Sequence, residues 1–197
     1  HIKKLLDQNY TIVIIEQIGD DKKDVDRQIT NIYSPGTYLE DMNSTKNNYL
    51  MSIYIDNTNL LNGNILEIGV SCIDLSIGQN IIYEIPYKKD DKKYIYDELY
   101  RFVNSYNPNE LIIYFNNIDE KKQNSIIEDL EINKRIIKKV NYSSNYRKLE
   151  LQEVLLKEIF HPKTMINIFE YLNIHLLQIG SYSYIHLLLF IKEHDNS

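Results

Sequence analysis

Several residue types are scarce or absent in this chain of 197 residues, and each scarcity excludes a class of protein. Its single cysteine, Cys72, allows neither a disulfide framework nor a cysteine-rich zinc site, so we expect an intracellular protein. The longest apolar run, at residues 187–191, is far too short to span a bilayer, and we expect no membrane partner. Alanine and tryptophan are absent while tyrosine occurs 17 times, which we interpret as a bias towards A/T-rich codons.

The charge balance argues against a module dedicated to nucleic-acid binding. The formal net charge is −6 and the pI is about 5.4, whereas such modules are normally basic. Apolar residues make up 43% and charged residues 25% of the chain, which is typical of a globular protein that buries a core. Because the chain begins with His1 rather than methionine, we expect it to be a segment of a longer protein.

The first part of the sequence predicts two strands that end at a turn. Residues 10–16 (YTIVIIE) and 27–33 (RQITNIY) are rich in β-branched residues and flank a charged loop. The sequence Ser-Pro-Gly at 34–36 ends this unit, because proline cannot continue a ladder and glycine accepts a positive φ. The polar residues that follow, up to Asn48, are predicted to be a linker.

A second unit starts at Tyr49 with a period of two residues. Alternating apolar residues at 49–55 and 66–72, a turn at 57–64 and a third strand after 78 predict an antiparallel meander. The pattern then predicts a helix at 90–106, a buried strand at 111–115, a helix at 119–130 and a strand at 135–142. The predicted order is therefore β-β-β-α-β-α-β.

Three helical patterns complete the chain. Residues 149–160 repeat Leu151, Leu155 and Ile159 at helical spacing. Residues 164–172 place Met165, Ile168, Phe169 and Leu172 on one face, and residues 181–194 are apolar on most sides. We expect the last helix to be buried in the core or docked against another part of the protein.

These residues together resemble the MutS family of DNA mismatch-repair proteins. In that family the mismatch-binding domain ends in a Glu-Gln turn, an arginine-containing strand and the exit Thr-Pro-Gly-Thr. Here Glu16 and Gln17, Arg27 and the sequence SPGT at 34–37 stand in those places. The connector domain of the family typically opens with NLL and runs to LDLSTG, which resemble NYLMSI at 48–53 and IDLSIG at 73–78.

The resemblance implies a fold class and a domain organisation. Residues 1–38 would be the C-terminal tail of the mismatch-binding domain, a two-strand remnant of an α+β domain, and 39–48 a linker. Residues 49–197 would be the connector, an RNase H-like α/β domain with a mixed five-stranded sheet and flanking helices. The codon bias suggests a divergent branch such as that of giant DNA viruses, so the location would be the nucleus, the cytoplasm or a viral factory.

The resemblance also implies a mechanical role. The connector would link mismatch recognition to the ATPase core, reorient about the linker and offer a surface to a MutL-type partner. Its other partners would be the remaining MutS domains and, through the parent protein, double-stranded DNA. The family reads mismatches with Phe-x-Glu, which is absent here, as is the phosphate loop GxxxxGK[ST]. We therefore expect no catalytic residue and no cofactor in this chain, with ATP and Mg²⁺ bound only in an ATPase domain outside it.

Two other functions remain open. The first is an RNase H-like nuclease, whose two cations need converging carboxylates. Active members of that fold carry an acid in the middle of the first strand, where this chain has Ser52 and Ile53; Asp56 lies at the far end of that strand. The second is a plain protein-interaction scaffold. The histidines at 161, 175, 186 and 194 lack a metal-binding spacing, and His186 in an apolar helix is interpreted as a packing residue.

One stretch of the sequence is locally basic. This stretch, residues 133–148, could contact a DNA backbone or an acidic partner. We favour instead a solvated edge strand whose lysines prevent aggregation, because the neighbouring sequence is acidic and the net charge is negative. A weaker candidate lies in the loop between the first two strands. The residues proposed for DNA or partner contact are Lys22, Lys23, Lys134, Arg135, Lys138, Lys139, Arg147 and Lys148.

Overall fold

The computed structural model describes residues 1–18, 26–38, 48–60, 63–131, 136–140 and 144–194. The first unit is a short helix, α1 (Ile2–Leu6), followed by an antiparallel pair of strands, β1 (Ile12–Ile18) and β2 (Asp26–Tyr33). The register runs from Ile12 opposite Tyr33 to Ile18 opposite Asp26, with one irregularity after Ile14. β-Branched isoleucines favour these extended conformations.

The second unit is a mixed five-stranded sheet with helices on both faces. Its strands are β3 (Tyr49–Leu60), β4 (Gly63–Asp74), β5 (Gln79–Ile85), β6 (Glu110–Asn116) and β7 (Ile137–Val140). The strand order is β5-β4-β3-β6-β7; β3, β4 and β5 pair antiparallel, whereas β6 pairs parallel to β3 and to β7. This architecture confirms the predicted α/β fold with a mixed five-stranded sheet.

Alternation along the strands builds two apolar layers. One layer combines Met51, Ile53 and Ile55 of β3 with the buried faces of α2 (Tyr94–Tyr106) and α3 (Glu120–Asp129). The other combines Leu50 and Tyr54 with the C-terminal helices, which are α4 (Leu149–Phe160), α5 (Ile168–Tyr171) and α6 (Gln178–His194). Both faces of the central strand are covered, and residues 49–55 of β3 and 111–115 of β6 are apolar except for Ser52.

Helix α6 lies directly on the centre of the sheet. A Cβ atom on Gly69 of β4 would stand 2.1 Å from the carbonyl oxygen of Ile179, so only glycine permits this approach. The hydroxyl of Ser183 donates to the carbonyl oxygen of Ser52 at 2.7 Å. Glu84 of β5 accepts hydrogen bonds from the backbone N–H groups of Ile179 and of the next residue, at 2.8 and 3.2 Å. The last helix is therefore part of this core.

Three local predictions were wrong. Residues 57–60 and 63–64 are paired strand residues, so the turn predicted at 57–64 is too long. In α4 the buried face is Gln152, Leu155 and Leu156, whereas Leu151 is 41% exposed. The helix predicted at 164–172 is confined to Ile168–Tyr171, and Met165 is fully exposed.

Within the described ranges, no helix combines the length and the apolar character needed to cross a lipid bilayer.

Candidate functional site

The structure describes four of the eight basic residues proposed from the sequence. Lys22, Lys23, Lys134 and Arg135 lie outside the described residues, so their predicted contacts stay predictions. Lys138, Lys139, Arg147 and Lys148 are described. Two of these four, Lys138 and Arg147, are bound to buried carboxylates inside the protein, and all of them but Lys138 are exposed.

Lys138, on the edge strand β7, connects three parts of the molecule. Its ammonium group forms an ion pair with the carboxylate of Glu110 and donates a hydrogen bond to the hydroxyl of Thr11 at 2.6 Å. The same nitrogen lies 5.6 Å from the ring centroid of Phe190 in α6. The side chain is 28% exposed, and its charge is directed at a glutamate that is 1% exposed. A structural role therefore accounts for most of its polar contacts.

Arg147 neutralises the second buried carboxylate, that of Asp56 in the carboxyl-terminal half of β3. Its guanidinium forms an ion pair with Asp56 and donates to the phenolic oxygen of Tyr54 at 3.1 Å. The other carboxylate oxygen accepts from the side-chain amides of Asn116 and Asn117, at 2.9 and 3.3 Å. Asp56 is 3% exposed, and both of its oxygens have partners, as a buried carboxylate requires.

Lys139 and Lys148 are exposed, as Arg147 is. Lys139 donates to the side-chain oxygen of Asn124 at 2.8 Å, and Lys148 is the residue immediately before α4. Their side chains face solvent, so contact between these two residues and DNA or an acidic partner stays a prediction.

The turn at residues 34–37 is seated on the second sheet. The hydroxyl of Ser34 donates to a carboxylate oxygen of Glu110 at 2.5 Å, and the N–H of Gly36 donates to the same oxygen at 3.0 Å. A Cβ atom on Gly36 would stand 2.8 Å from both the Cβ of Glu110 and a methyl group of Leu50. The glycine is therefore required by a close approach between the two units.

The start of β3 returns to the same turn. The side-chain amide of Asn48 donates to the carbonyl oxygen of Gly36 at 3.1 Å, and its oxygen accepts from the amide of Asn109 at 2.6 Å. Within the turn, the hydroxyl of Thr37 accepts from the N–H of Ser34 at 3.1 Å. The chain thus leaves the turn at Thr37 and re-enters the structure at Asn48, beside the point of departure. Residues 39–47 of the predicted linker lie outside the described residues.

The junction is the place where the turn at residues 34–37 and Asn48 meet the second sheet. Asp74 of β4 stabilises it. Asp74 is fully buried and accepts hydrogen bonds from the N–H and hydroxyl of Ser76, at 2.9 and 2.5 Å, and a longer one from the N–H of Asn48. Burial alone would raise the pKa of Asp74, but the hydrogen bonds from Ser76, Asn48 and Ile77 outweigh it and lower the pKa below its usual value. The carboxylate therefore stays charged and keeps these groups in place.

Comparison with known proteins identifies the first unit. The family model of MutS domain I matches residues 1–42. A mutS homolog of Acanthamoeba polyphaga mimivirus, named for DNA mismatch repair, is 37% identical over 134 residues, which are 66% of this chain and 12% of the relative. The chain belongs to the MutS family. The viral relative agrees with the giant-virus branch suggested by the codon bias.

Bacterial MutS sequences match the same chain. The DNA mismatch repair protein MutS of Caldanaerobacter subterraneus is 31% identical over 160 residues, or 77% of this chain and 17% of the relative. That of Thermodesulfovibrio yellowstonii is 35% identical over 116 residues, or 57% of this chain and 11% of the relative. The chain thus spans less than a fifth of the length of these MutS proteins.

The core histidine of this MutS-family chain is a packing residue. His186 is 3% exposed, and its Nδ1–H donates to the carbonyl oxygen of Tyr182 at 2.6 Å. Its ring lies 4.4 Å from that of Tyr114 and 6.2 Å from that of Tyr54, centroid to centroid. Burial lowers the pKa of His186 more than the bond to Tyr182 raises it. Among the described residues, no three His, Cys, Asp or Glu side chains lie close enough to hold a metal ion.

Sequence reasoning missed the role of Glu110 in the junction and the pairing of Asp56 with Arg147. No role for Glu110 is predicted from the sequence, and Asp56 is considered there only as an acid displaced from the catalytic position of a nuclease. The available signal was a charged residue directly beside an apolar run that is buried on both faces, because such a charge must be paired. The identity of each partner could not be read from the sequence, since Lys138 and Arg147 come from later segments.

Proposed function

We propose that this chain is the non-catalytic connector segment of a MutS-like DNA mismatch-repair protein. It would link the mismatch-reading part of that protein to its ATPase core and present a surface to a MutL-type partner. The observation that carries the proposal is the junction itself. A segment that matches MutS domain I ends in a turn whose Ser34 and Gly36 are bonded to Glu110 of the five-stranded unit.

A connector of this kind needs stiffness more than chemistry. The two apolar layers on the sheet, and α6 packed against its centre, form a block that transmits displacement without deforming. In the parent protein the partners would be the remaining MutS domains, double-stranded DNA and the MutL-type protein. ATP and Mg²⁺ would bind in the ATPase domain outside this chain. The parent would act inside the cell, in the nucleus, the cytoplasm or a viral factory.

The carboxylates of the second unit support a non-catalytic role over the nuclease alternative. Both oxygens of Asp56 accept hydrogen bonds, and the ion pair with Arg147 supplies its counter-charge. Ser52, which takes the place of the first-strand acid, is fully buried beneath α6. Glu67 accepts from the hydroxyl of Thr58 at 2.5 Å. Two-metal chemistry needs several converging carboxylates with free lone pairs, whereas both oxygens of Asp56 are engaged by Arg147 and by two asparagines.

Two assays on the chain separate the three functions. The first incubates an end-labelled duplex with Mg²⁺ or Mn²⁺; a connector leaves the duplex intact, whereas cleavage would establish the nuclease. The second follows fluorescence anisotropy of a matched duplex across a salt series. A connector with a few exposed cations gives weak affinity that falls with salt, with a slope of about −0.9 for each phosphate contact. A scaffold that meets only proteins shows no salt-dependent affinity.

Charge reversal at the exposed lysines sharpens the second assay. We expect Lys139→Glu and Lys148→Glu each to reduce the salt slope by about 1 if that residue contacts a phosphate. Lys157→Glu provides the matched control, because Lys157 is an exposed lysine of α4 paired with Glu153 on the same helix. Unchanged slopes in all three variants would remove Lys139 and Lys148 from the DNA-facing surface and leave them to a protein partner.

A further inference from the structure

We infer that the turn at residues 34–37 and Glu110 form a latch that fixes the first sheet on the second, so that residues 39–47 connect the two units without acting as their hinge. The latch is defined by Ser34, Gly36, Glu110 and Lys138. The inference goes beyond the proposed function and holds whether or not the parent protein repairs mismatches. It concerns only which contacts determine the relative orientation of the two units.

Opening the latch would break hydrogen bonds to a buried carboxylate. Glu110 is 1% exposed, and the hydrogen-bond donors to one of its oxygens, Ser34 and Gly36, belong to the other unit. Lys138 pairs with its second oxygen and also donates to Thr11 of the first unit. Separation of the units would remove the donors Ser34 and Gly36 from this carboxylate while Lys138 stays beside it, and hydrogen bonds to charged groups are among the stronger ones in proteins. The closed arrangement is strongly favoured.

The turn at residues 34–37 packs tightly against the second unit. Gly36 lies so close to Leu50 and Glu110 that a single added carbon atom would overlap both. Ser34 is fully buried, and α6 also contacts β2 of the first unit. Closely packed interfaces of this kind change by discrete steps and do not slide. A gradual reorientation of the two units would require all of these packing contacts to break.

Asn48 brings the chain that follows the turn back to the turn itself. Asn48 is bonded to Gly36 by its side chain, while its N–H approaches Asp74 of β4. Both ends of segment 39–47 are therefore anchored at the same place on the second sheet. A segment whose ends are fixed beside each other cannot set the distance between two units, whatever its length. Additional residues in it would cost only loop-closure entropy, which grows slowly with length.

The test measures the distance between spin labels on the two units of the full chain. The labels are attached through Gln28→Cys on β2 and Glu120→Cys at the start of α3, both at exposed positions. The native Cys72 is fully buried, so it stays unlabelled. Pulsed dipolar spectroscopy then gives the distance distribution. We expect a single narrow peak; a broad distribution in the otherwise unaltered chain would overturn the inference.

Three variants separate the latch from the linker. Insertion of six Gly/Ser residues between residues 43 and 44 should leave the narrow peak unchanged, whereas broadening would show that the linker sets the orientation. Gly36→Ala and Glu110→Gln should each abolish the narrow peak, and unchanged peaks in both would overturn the inference. Glu150→Gln is the control, because Glu150 is an exposed glutamate in the first turn of α4. Far-UV circular dichroism confirms that each variant is folded; if Gly36→Ala is not, the insertion and Glu110→Gln still decide.

Discussion

Arg147 is bonded to Asp56, in the carboxyl-terminal half of the central strand β3, across 91 positions of sequence. The pair brings a cation from the segment before α4 onto a carboxylate buried beside Tyr54. A residue proposed from the sequence to contact DNA thus supplies the counter-charge for an acid in the core. Substitution of Arg147 should therefore lower the stability of the fold.

We predict that Arg147→Leu lowers the free energy of unfolding by about 1–3 kcal/mol, because Asp56 loses its counter-charge while remaining buried. The double variant with Asp56→Asn should recover part of this loss. Urea unfolding followed by circular dichroism measures both. Lys148→Met, at an exposed neighbouring residue, serves as the control and should change stability by less than about 0.5 kcal/mol. Equal stability of Arg147→Leu and the control would contradict a structural role for the pair.

Close approach of α6 to the sheet gives a second prediction. Gly69→Ala should destabilise the fold by about 3 kcal/mol or more, because its Cβ would overlap the backbone of Ile179 and α6 would have to move. Gly78→Asn is the matched control: Gly78 has φ +70° and open space around it, and asparagine tolerates that conformation. Thermal unfolding of the two variants measures the difference. A Gly69→Ala protein as stable as the control would contradict the packing described for α6.

The buried histidine predicts a dependence of stability on pH. The pKa of His186 is lowered in the folded state by burial, whereas the unfolded chain takes up the proton near pH 6.5. This contribution to stability is present above about pH 6.5 and is lost as the pH falls through the folded pKa, by at most about 1.4 kcal/mol per pH unit. We expect His186→Phe to show a shallower decline between pH 7 and 5 in urea unfolding.

The control for this prediction is His175→Gln, because His175 is exposed. That variant should decline with the same slope as the unaltered protein. A decline of His186→Phe as steep as that of the control would assign the acid sensitivity to other groups.

The single thiol reports on opening of the core. Burial, and then the nearby charge of Asp74, raise the pKa of Cys72 to about 12. Since the thiolate is the reactive form, Cys72 should not react with a disulfide reagent at pH 8 until the sheet opens. We expect the reaction rate to rise with urea in parallel with unfolding. Rapid modification without denaturant would contradict the burial of β4.

The sheet could be predicted because its pattern is local. Alternation at residues 49–55 and 66–72 places every second side chain on one face, and the structure buries those residues together. The helix α4 was harder, because two overlapping sets of residues fit a helical period. Its buried face includes Gln152, whose amide donates to the carbonyl oxygen of Tyr146 at 2.7 Å. A polar residue whose amide nitrogen finds a backbone partner in this way is not recognisable as buried from its sequence.

The junction could not be predicted, because its contacts are long-range. Ser34 and Glu110 are separated by 76 positions, and Lys138 reaches Thr11 over 127. The sequence indicated that a unit ends at SPGT, since proline and glycine carry that information locally. It did not indicate that the same turn binds a carboxylate on the first residue of a distant strand. Basic residues that a sequence suggests for DNA contact can therefore be bonded to buried carboxylates.

The central claim is that this chain lies downstream of mismatch reading, and one comparison tests it most directly. Fluorescence anisotropy would measure binding of the chain to a labelled duplex with a single mismatch and to its matched counterpart, at several salt concentrations. The account predicts weak affinity that is equal for the two duplexes at every salt concentration. A clear preference for the mismatched duplex would contradict it, because base readout would then lie within these residues.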